Sequence, residues 1–367
     1  MGKKIKIITI FDSTNYGNRL QNYALSELLG DYTSVVSTVR YINSKGDFFQ
    51  RTIEVLRLFR DRLALIISRI KTLHPFLAGE REKVCDRFSS KRITVCSNIL
   101  VSMSADDVDV DDDSFYVLGS DQIWNYPWFS ESNLSAQLGA YVPEGKPVIS
   151  YAASFGVSEI DDDVKPIFQK YLPRLKAVSV REDRGTELIK EMTGLDATVV
   201  LDPTLMLTTD KWLKITENFV PNNDKYVLTY FLGRPSNEQE RDIQAYAKTH
   251  GCRVRRMLDL RDKETYVAGP QDFVELFSKA QYVFTDSYHA CCFSILFHKQ
   301  FTVFYRAGMT GKSSMNSRME TLFRLFDLDS VMIDSGLAPD IDYGKVNRLL
   351  EQHRKESRSW LEKAMEN

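Results

Sequence analysis

Apolar and polar positions alternate in blocks along this 367-residue chain. Short β-branched runs at 4–10, 35–41, 115–119, 147–152, 176–181 and 197–201 predict strands. Between them, stretches 18–30, 53–72, 80–90, 163–173 and 183–193 space their apolar residues by three and four, which predicts helices. Helix 18–30 sets Leu20, Tyr23, Ala24 and Leu28 on one side. Pro203 and the polar PNND at 221–224 then break the pattern, as a seam between domains does. Beyond the seam the alternation resumes, with strands 226–233, 252–258, 281–285 and 300–305 and helices 236–250, 270–279, 287–298 and 314–327. A charged helical stretch, 341–366, follows. Strand–helix alternation predicts parallel sheets with helices on both faces. The expected architecture is α/β, two Rossmann-like doubly wound domains over 1–215 and 222–335 that face a cleft. Residues 340–367 are placed to pack back on the first domain. Ligands in such folds sit at the carboxyl ends of strands.

Length agrees, since a chain of this size exceeds one ordinary core and divides into two of about 150–200 residues. The net charge of −2 gives no electrostatic reason for nucleic acid. Five cysteines, at 85, 96, 252, 291 and 292, form no CxxC pair and no metal-ligand spacing, so no metal is expected. Their odd number and the lack of a signal peptide favour a reducing cytoplasm. No uncharged apolar run reaches the roughly 18–20 residues of a membrane span. The acidic DDVDVDDD at 106–113 reads as a solvated loop, with an ion site as the lesser alternative.

Polar residues just after predicted strands are the candidates for chemistry. In FDSTNYGNRLQNYAL, Asp12, Asn15, Gly17, Asn18, Arg19 and Gln21 surround a strand-to-helix turn. Its free N–H groups suit an anion or a sugar hydroxyl, or Asn15 simply caps the helix. In FYVLGSDQIWN, Asp121 beside Trp124 suits a sugar, with the acid taking a hydroxyl hydrogen and the indole packing on C–H groups. The alternative makes Asp121 a cap and Trp124 core. Arg181, after AVSV, can fork onto a phosphate or carboxylate, or pair with Glu182 or Asp183. In QYVFTDSYHACCFSILF, His289 falls in the first turn of an apolar helix, behind Asp286 and Ser287, where proton transfer or a phosphate contact would place it. Lys312, Asn316, Ser317 and Arg318 make another basic helix start.

Taken together, NYGNRLQNYAL, GSDQIWN, SYAASFG, VSVREDRG, VLDPTLML, TDSYHACCFSILF and NSRMETLF, in that order over about 5–330, resemble the polysaccharide pyruvyl transferases. The resemblance implies a fold like the GT-B glycosyltransferases. It also implies transfer of pyruvate from phosphoenolpyruvate, the co-substrate, to two sugar hydroxyls as a cyclic ketal, with no further cofactor. The acceptor would be a surface-polysaccharide unit, often lipid-linked, at the inner face of the membrane. The family arginine resembles Arg181 and its helix-start histidine resembles His289. Described members carry Arg-Leu-His where this chain has Ser287-Tyr288-His289, so Lys312 or Arg318 supplies the missing charge or the donor differs.

The roles expected from this are as follows. Arg181 and Arg318, with Ser287, His289, Lys312 and Ser317, bind the donor. His289 is general acid or phosphate partner. Asp121 or Asp12 is base towards the acceptor. Asn15, Gly17, Asn18, Gln21 and Trp124 line the acceptor side. A nucleotide-sugar GT-B glycosyltransferase and a non-catalytic carbohydrate-binding or assembly subunit are the rival functions. The basic amphipathic stretch 51–77 reads as core packing, a dimer contact or a surface resting on anionic membrane.

Overall fold

The computed structural model describes residues 4–11, 14–42, 74–100, 114–221, 223–305 and 316–366. Stretch 51–73, the acidic run 106–113, Asp12 and Lys312 lie outside the described residues. The first sheet holds β1 (Lys4–Ile8), β2 (Val36–Ile42), β3 (Val95–Leu100), β4 (Ser114–Asp121), β5 (Val148–Ala153), β6 (Ser179–Val180) and β7 (Thr198–Val199). All run parallel, in the order β3-β2-β1-β4-β5-β6-β7. Central strands β4 and β5 are buried along their whole length, as a sheet covered on both faces requires. The second sheet holds β8 (Tyr226–Tyr230), β9 (Arg253–Met257), β10 (Tyr282–Thr285), β11 (Gln300–Phe304) and β12 (Met332–Ile333), parallel in the order β12-β11-β10-β8-β9.

Helices in the first half are α1 (Tyr16–Leu29), α2 (His74–Arg92), α3 (Glu131–Gln137), α4 (Lys165–Tyr171), α5 (Asp183–Thr193), α6 (Pro203–Met206) and α7 (Thr209–Leu213). Those in the second are α8 (Asn237–Thr249), α9 (Lys263–Tyr266), α10 (Pro270–Lys279), α11 (Tyr288–Leu296), α12 (Asn316–Phe326) and α13 (Tyr343–Met365). Strand order reverses between β1 and β4 in one sheet and between β8 and β10 in the other. Loops leaving those strands open crevices at such switch points. Strand β3 and helix α3 are among the elements not expected from the sequence. Strand β3 carries Ser97 and Asn98 at its centre and lies at the sheet edge among the described residues, so it lacks an apolar pattern. Helix α3 starts from a Ser130 cap rather than from any strong periodicity.

The seam is a packed joint. Trp212 of α7 is fully buried, its ring 5.6 Å from Tyr23 of α1 and 4.8 Å from Phe293 of α11. Its Nε1 donates to the Thr204 carbonyl at 3.1 Å. One continuous core runs from Ile5, Leu20 and Tyr151 through Leu205 and Trp212 to Tyr226, Phe273 and Phe293. Helix α13 straps this joint: Arg354 donates to the carbonyls of Leu205 (2.7 Å) and Leu207 (2.8 Å), and Trp360 packs 6.3 Å from Tyr151. A shared core couples the lobes energetically. Trp212→Ala should therefore cost about 3–5 kcal/mol. In denaturant unfolding both lobes should still melt in one transition, shifted to lower denaturant; two separate transitions would contradict the shared core.

Candidate active site

The loops at the two switch points meet across the cleft. On the first lobe, Asn15 caps α1 by accepting from Asn18 N–H at 3.1 Å. The first turn of α1 is unusually polar for a buried segment, with Asn18, Arg19, Gln21 and Asn22 all enclosed. Gln21 explains part of this. Its Nε2 donates to Thr9 Oγ1 (3.0 Å) and its Oε1 accepts from Ser120 N–H (3.1 Å), which ties the end of β1 to the end of β4. Arg19 stacks on Phe11 at 3.9 Å and donates to Asn18 Oδ1 at 2.5 Å, turning the Asn18 amide towards Asp121 Oδ2, 3.5 Å away.

Asp121 ends β4 in the left-handed region, φ 72°. Its Oδ1 accepts from Arg181 Nη2 at 2.8 Å, and Arg181 Nη1 donates to Asp202 Oδ2 at 2.7 Å. Asp202 caps α6, accepting from Thr204 N–H (3.0 Å) and Thr204 Oγ1 (2.8 Å), and takes a further bond from Ser120 Oγ (3.2 Å). From the second lobe, His289 in the first turn of α11 brings Nε2 within 3.8 Å of Asp202 Oδ2. The ring is seated against α1 at Gly17, where any Cβ would overlap the imidazole. Gly17 is thus required by close approach across the lobes. Tyr288 lies over the Arg181 guanidinium at 4.5 Å, with Arg318 of α12 at 5.8 Å from the same ring.

These groups wall a cavity of about 280 Å³ between the lobes. Its polar lining includes Asn15, Asn18, Asp121, Gln122, Ser287, His289 and Arg318. Trp128 and Leu232 flank it with apolar surface. Ser287 precedes α11 without its side chain bonding the first turn, so the helix offers N–H groups there.

A family model for polysaccharide pyruvyl transferases matches residues 15–308. The chain belongs to the polysaccharide pyruvyl transferase family. The match takes in the loops that carry Asn18, Asp121, Arg181, Asp202 and His289, and ends before Arg318. No curated protein matches the sequence. Among solved structures, a protein assigned as a UDP-N-acetylglucosamine 2-epimerase from Listeria monocytogenes is 10% identical, with 98% of this chain and 91% of that chain covered and a TM-score of 0.51. The UDP-GlcNAc 2-epimerase of Neisseria meningitidis, bound to UDP-GlcNAc, is 11% identical, with 100% and 94% covered and a TM-score of 0.44. E. coli ADP-heptose lipopolysaccharide heptosyltransferase II is also 11% identical, with 95% and 99% covered and a TM-score of 0.38. Identities this low speak to fold alone, and the fold of this transferase is GT-B-like.

The transferase places its sequence-predicted residues unequally. Asn15, Asn18, Asp121, Ser287, His289 and Arg318 reach the pocket. Arg181 lies beneath it, its side chain fully buried between two carboxylates rather than open to a ligand. Gln21 is likewise spent on the β1–β4 tie, so it orients the wall and does not touch a sugar. Ser317 stands outside the lining, with its Oγ enclosed. The expectation for Trp124 is corrected. Its backbone N–H donates to the Ser154 carbonyl at 3.1 Å, and the ring lies in the core against Phe155. The aromatic surface at the pocket belongs instead to Trp128, 56% exposed, which no motif flagged. Asp202 was also missed, because Asp-Pro-Thr reads as an ordinary helix cap. Among the described residues no group of His, Cys, Asp and Glu is arranged to hold a metal, and no helix is long and apolar enough to cross a membrane.

Burial sets the protonation states. It pushes the His289 pKa down, outweighing the pull of Asp202 and Asp121, so the ring is neutral near pH 7. Burial would raise Asp121, but Arg181, then His289 and Arg318, hold it down at about 2. A carboxylate so well held is a weak base, which leaves Asp121 better suited to orienting a hydroxyl than to removing its proton. Burial and the neighbouring Arg181 lower Arg318 to about 10, still cationic at neutral pH. A histidine lowered in the folded state contributes stability that is full above its unfolded value of about 6.5 and lost as pH falls towards the folded value. His289→Gln should therefore lose less stability than wild type between about pH 7.5 and pH 5.5 in denaturant titrations. The difference between the two proteins is the readout, because Asp272, raised by burial to about 6, shifts both alike. Parallel curves would mean that His289 titrates normally.

Proposed function

We propose that this transferase moves the pyruvyl group of phosphoenolpyruvate onto two hydroxyls of one sugar, forming a cyclic ketal in a surface polysaccharide or its lipid-linked precursor. One observation carries this reading: Arg318, the open N-terminus of α11 and a neutral, buried His289 converge on one small pocket between the lobes. Phosphoenolpyruvate is a small molecule with two anionic groups and one carbon that must gain a proton. Arg318 and the α11 N–H groups suit its phosphate and carboxylate.

Neutral His289 takes the proton of the first acceptor hydroxyl and delivers it to the donor methylene, which becomes a methyl group, while the sugar oxygen bonds to C2. The C2–O bond to phosphate then breaks, the phosphate leaving with the electron pair. The second hydroxyl adds to the oxocarbenium carbon and gives its proton to the departing phosphate. Asp202, 3.8 Å from His289 Nε2, steadies the transient imidazolium. Asp121 and Asn18 orient the hydroxyls, and Trp128 packs against the sugar's C–H face. Arg181 is a positioning residue that fixes both aspartates.

Acceptor-dependent phosphate release from phosphoenolpyruvate, with galactose-, mannose- and glucosamine-containing acceptors, is the assay. At about pH 7.5 His289→Gln should lower kcat about 10²–10⁴-fold with an unchanged melting temperature. Arg318→Gln should raise the donor KM about tenfold or more and leave the acceptor KM alone. Trp128→Ala should do the reverse. Titration calorimetry showing a nucleotide sugar bound and phosphoenolpyruvate not bound would favour a glycosyltransferase. Sugar binding without any turnover would favour a non-catalytic subunit.

A further inference from the structure

A second groove, of about 740 Å³, opens at the carboxyl ends of β8 and β9 on the second lobe. It adjoins the reaction pocket, and Leu232 forms part of both walls. Its floor is a lattice of fixed charges. Arg256 forks onto Glu240, Arg261 Nη1 reaches Glu240 Oε2 at 3.2 Å, and Arg261 Nε donates to Asp259 Oδ2 at 2.8 Å. Paired in this way, the arginines are held over the carboxylates, and the half-exposed Arg261 keeps N–H groups beyond those it gives to Glu240 and Asp259. Planar, held donors of this kind suit the hydroxyl oxygens of a sugar. Arg234 is different. It is exposed on the rim, and no hydrogen bond or ion pair engages it among the described residues.

The backbone that carries Arg234 is pinned on both sides. Asp286 accepts from the N–H groups of Leu232 (2.7 Å) and Gly233 (2.8 Å), and Ser236 forms a reciprocal capping box with Gln239 at the start of α8. A cation mounted on a rigid rim, with three arginines against two carboxylates around the groove, leaves one positive charge unanswered. We propose that the groove is a second saccharide subsite, built for an anionic unit of the acceptor next to the sugar that is pyruvylated. The shared chemistry is an anionic oxygen group, carboxylate or phosphate, that pairs with Arg234 while its sugar ring lies on the Arg–Glu–Arg–Asp floor. This rests on the reading that the adjoining pocket holds the reacting sugar.

Calorimetry without any donor tests it. The probes are disaccharides bearing a uronate, the same disaccharides bearing a phosphate, and their neutral counterparts. Wild-type protein should bind one of the two anionic series roughly tenfold more tightly than the neutral one, and which series wins identifies the group. Arg234→Glu, an exposed change, should abolish the preference, and Arg261→Ala should weaken it. The preference should also fade as salt is raised. Equal affinity for charged and neutral sugars, an Arg234→Glu protein that keeps the preference, or tighter binding of a nucleoside diphosphate than of any sugar would overturn the proposal. Because no donor is present, a failed pyruvyl-transfer assay leaves this result standing, and failure here leaves that assay standing.

Discussion

The buried Asp121–Arg181–Asp202 ion-pair chain is the constraint on which the rest of the site depends. Its members come from the ends of β4 and β6 and from the cap of α6, three segments with no local reason to meet. Arg181 is enclosed, so its charge is tolerable only with both carboxylates in place. Removing one partner of such a group typically costs about 3–5 kcal/mol, which is far more than a surface pair is worth. The chain therefore fixes where Asp121 stands on the pocket wall and where Asp202 stands beneath His289. It converts a fold-level crevice into a defined set of distances.

The second lobe completes what the first prepares. His289 lies against Gly17 and near Asp202, and Tyr288 covers Arg181, so the catalytic candidates exist as a group only while the lobes are joined. The joint is correspondingly strong, with Trp212 and the aromatic cluster around Phe293 and Phe273 forming one core with the first lobe and α13 strapped across it. Such packing favours a preorganised site. Protonation follows from the same enclosure: a neutral imidazole between two carboxylates and two guanidiniums can accept a proton and return it.

Much of this was legible in the sequence. Strand–helix alternation and the break at 203–224 carried the two-sheet architecture, because parallel strands buried on both faces are near-continuous apolar runs. The polar residues after β1, β4 and β10 were identifiable because switch-point loops have little other reason to be rich in Asn, Asp, Ser and His. What could not be read was depth. Trp124 and Trp128 are four residues apart, and only the positive φ of Asp121 and the long-range bond from the Trp124 backbone N–H to the Ser154 carbonyl decide which ring turns inward. Arg181 and Gln21 look like ligand-binding groups until their partners, 60 and 99 residues away in sequence, are seen to occupy them. Asp202 was invisible for the opposite reason, since its local cap role hides its longer-range one.

In the proposed reaction a proton passes through His289 to the donor methylene while pyruvate is transferred to a sugar. The most direct measurement is to run the reaction in heavy water with phosphoenolpyruvate and an acceptor, and to examine the product by mass and carbon NMR. A ketal whose methyl carries deuterium, formed together with inorganic phosphate and lost in the His289→Gln protein, is the predicted result. Deuterated ketal formed at an undiminished rate by that variant, or no ketal from any acceptor despite bound phosphoenolpyruvate, would contradict it.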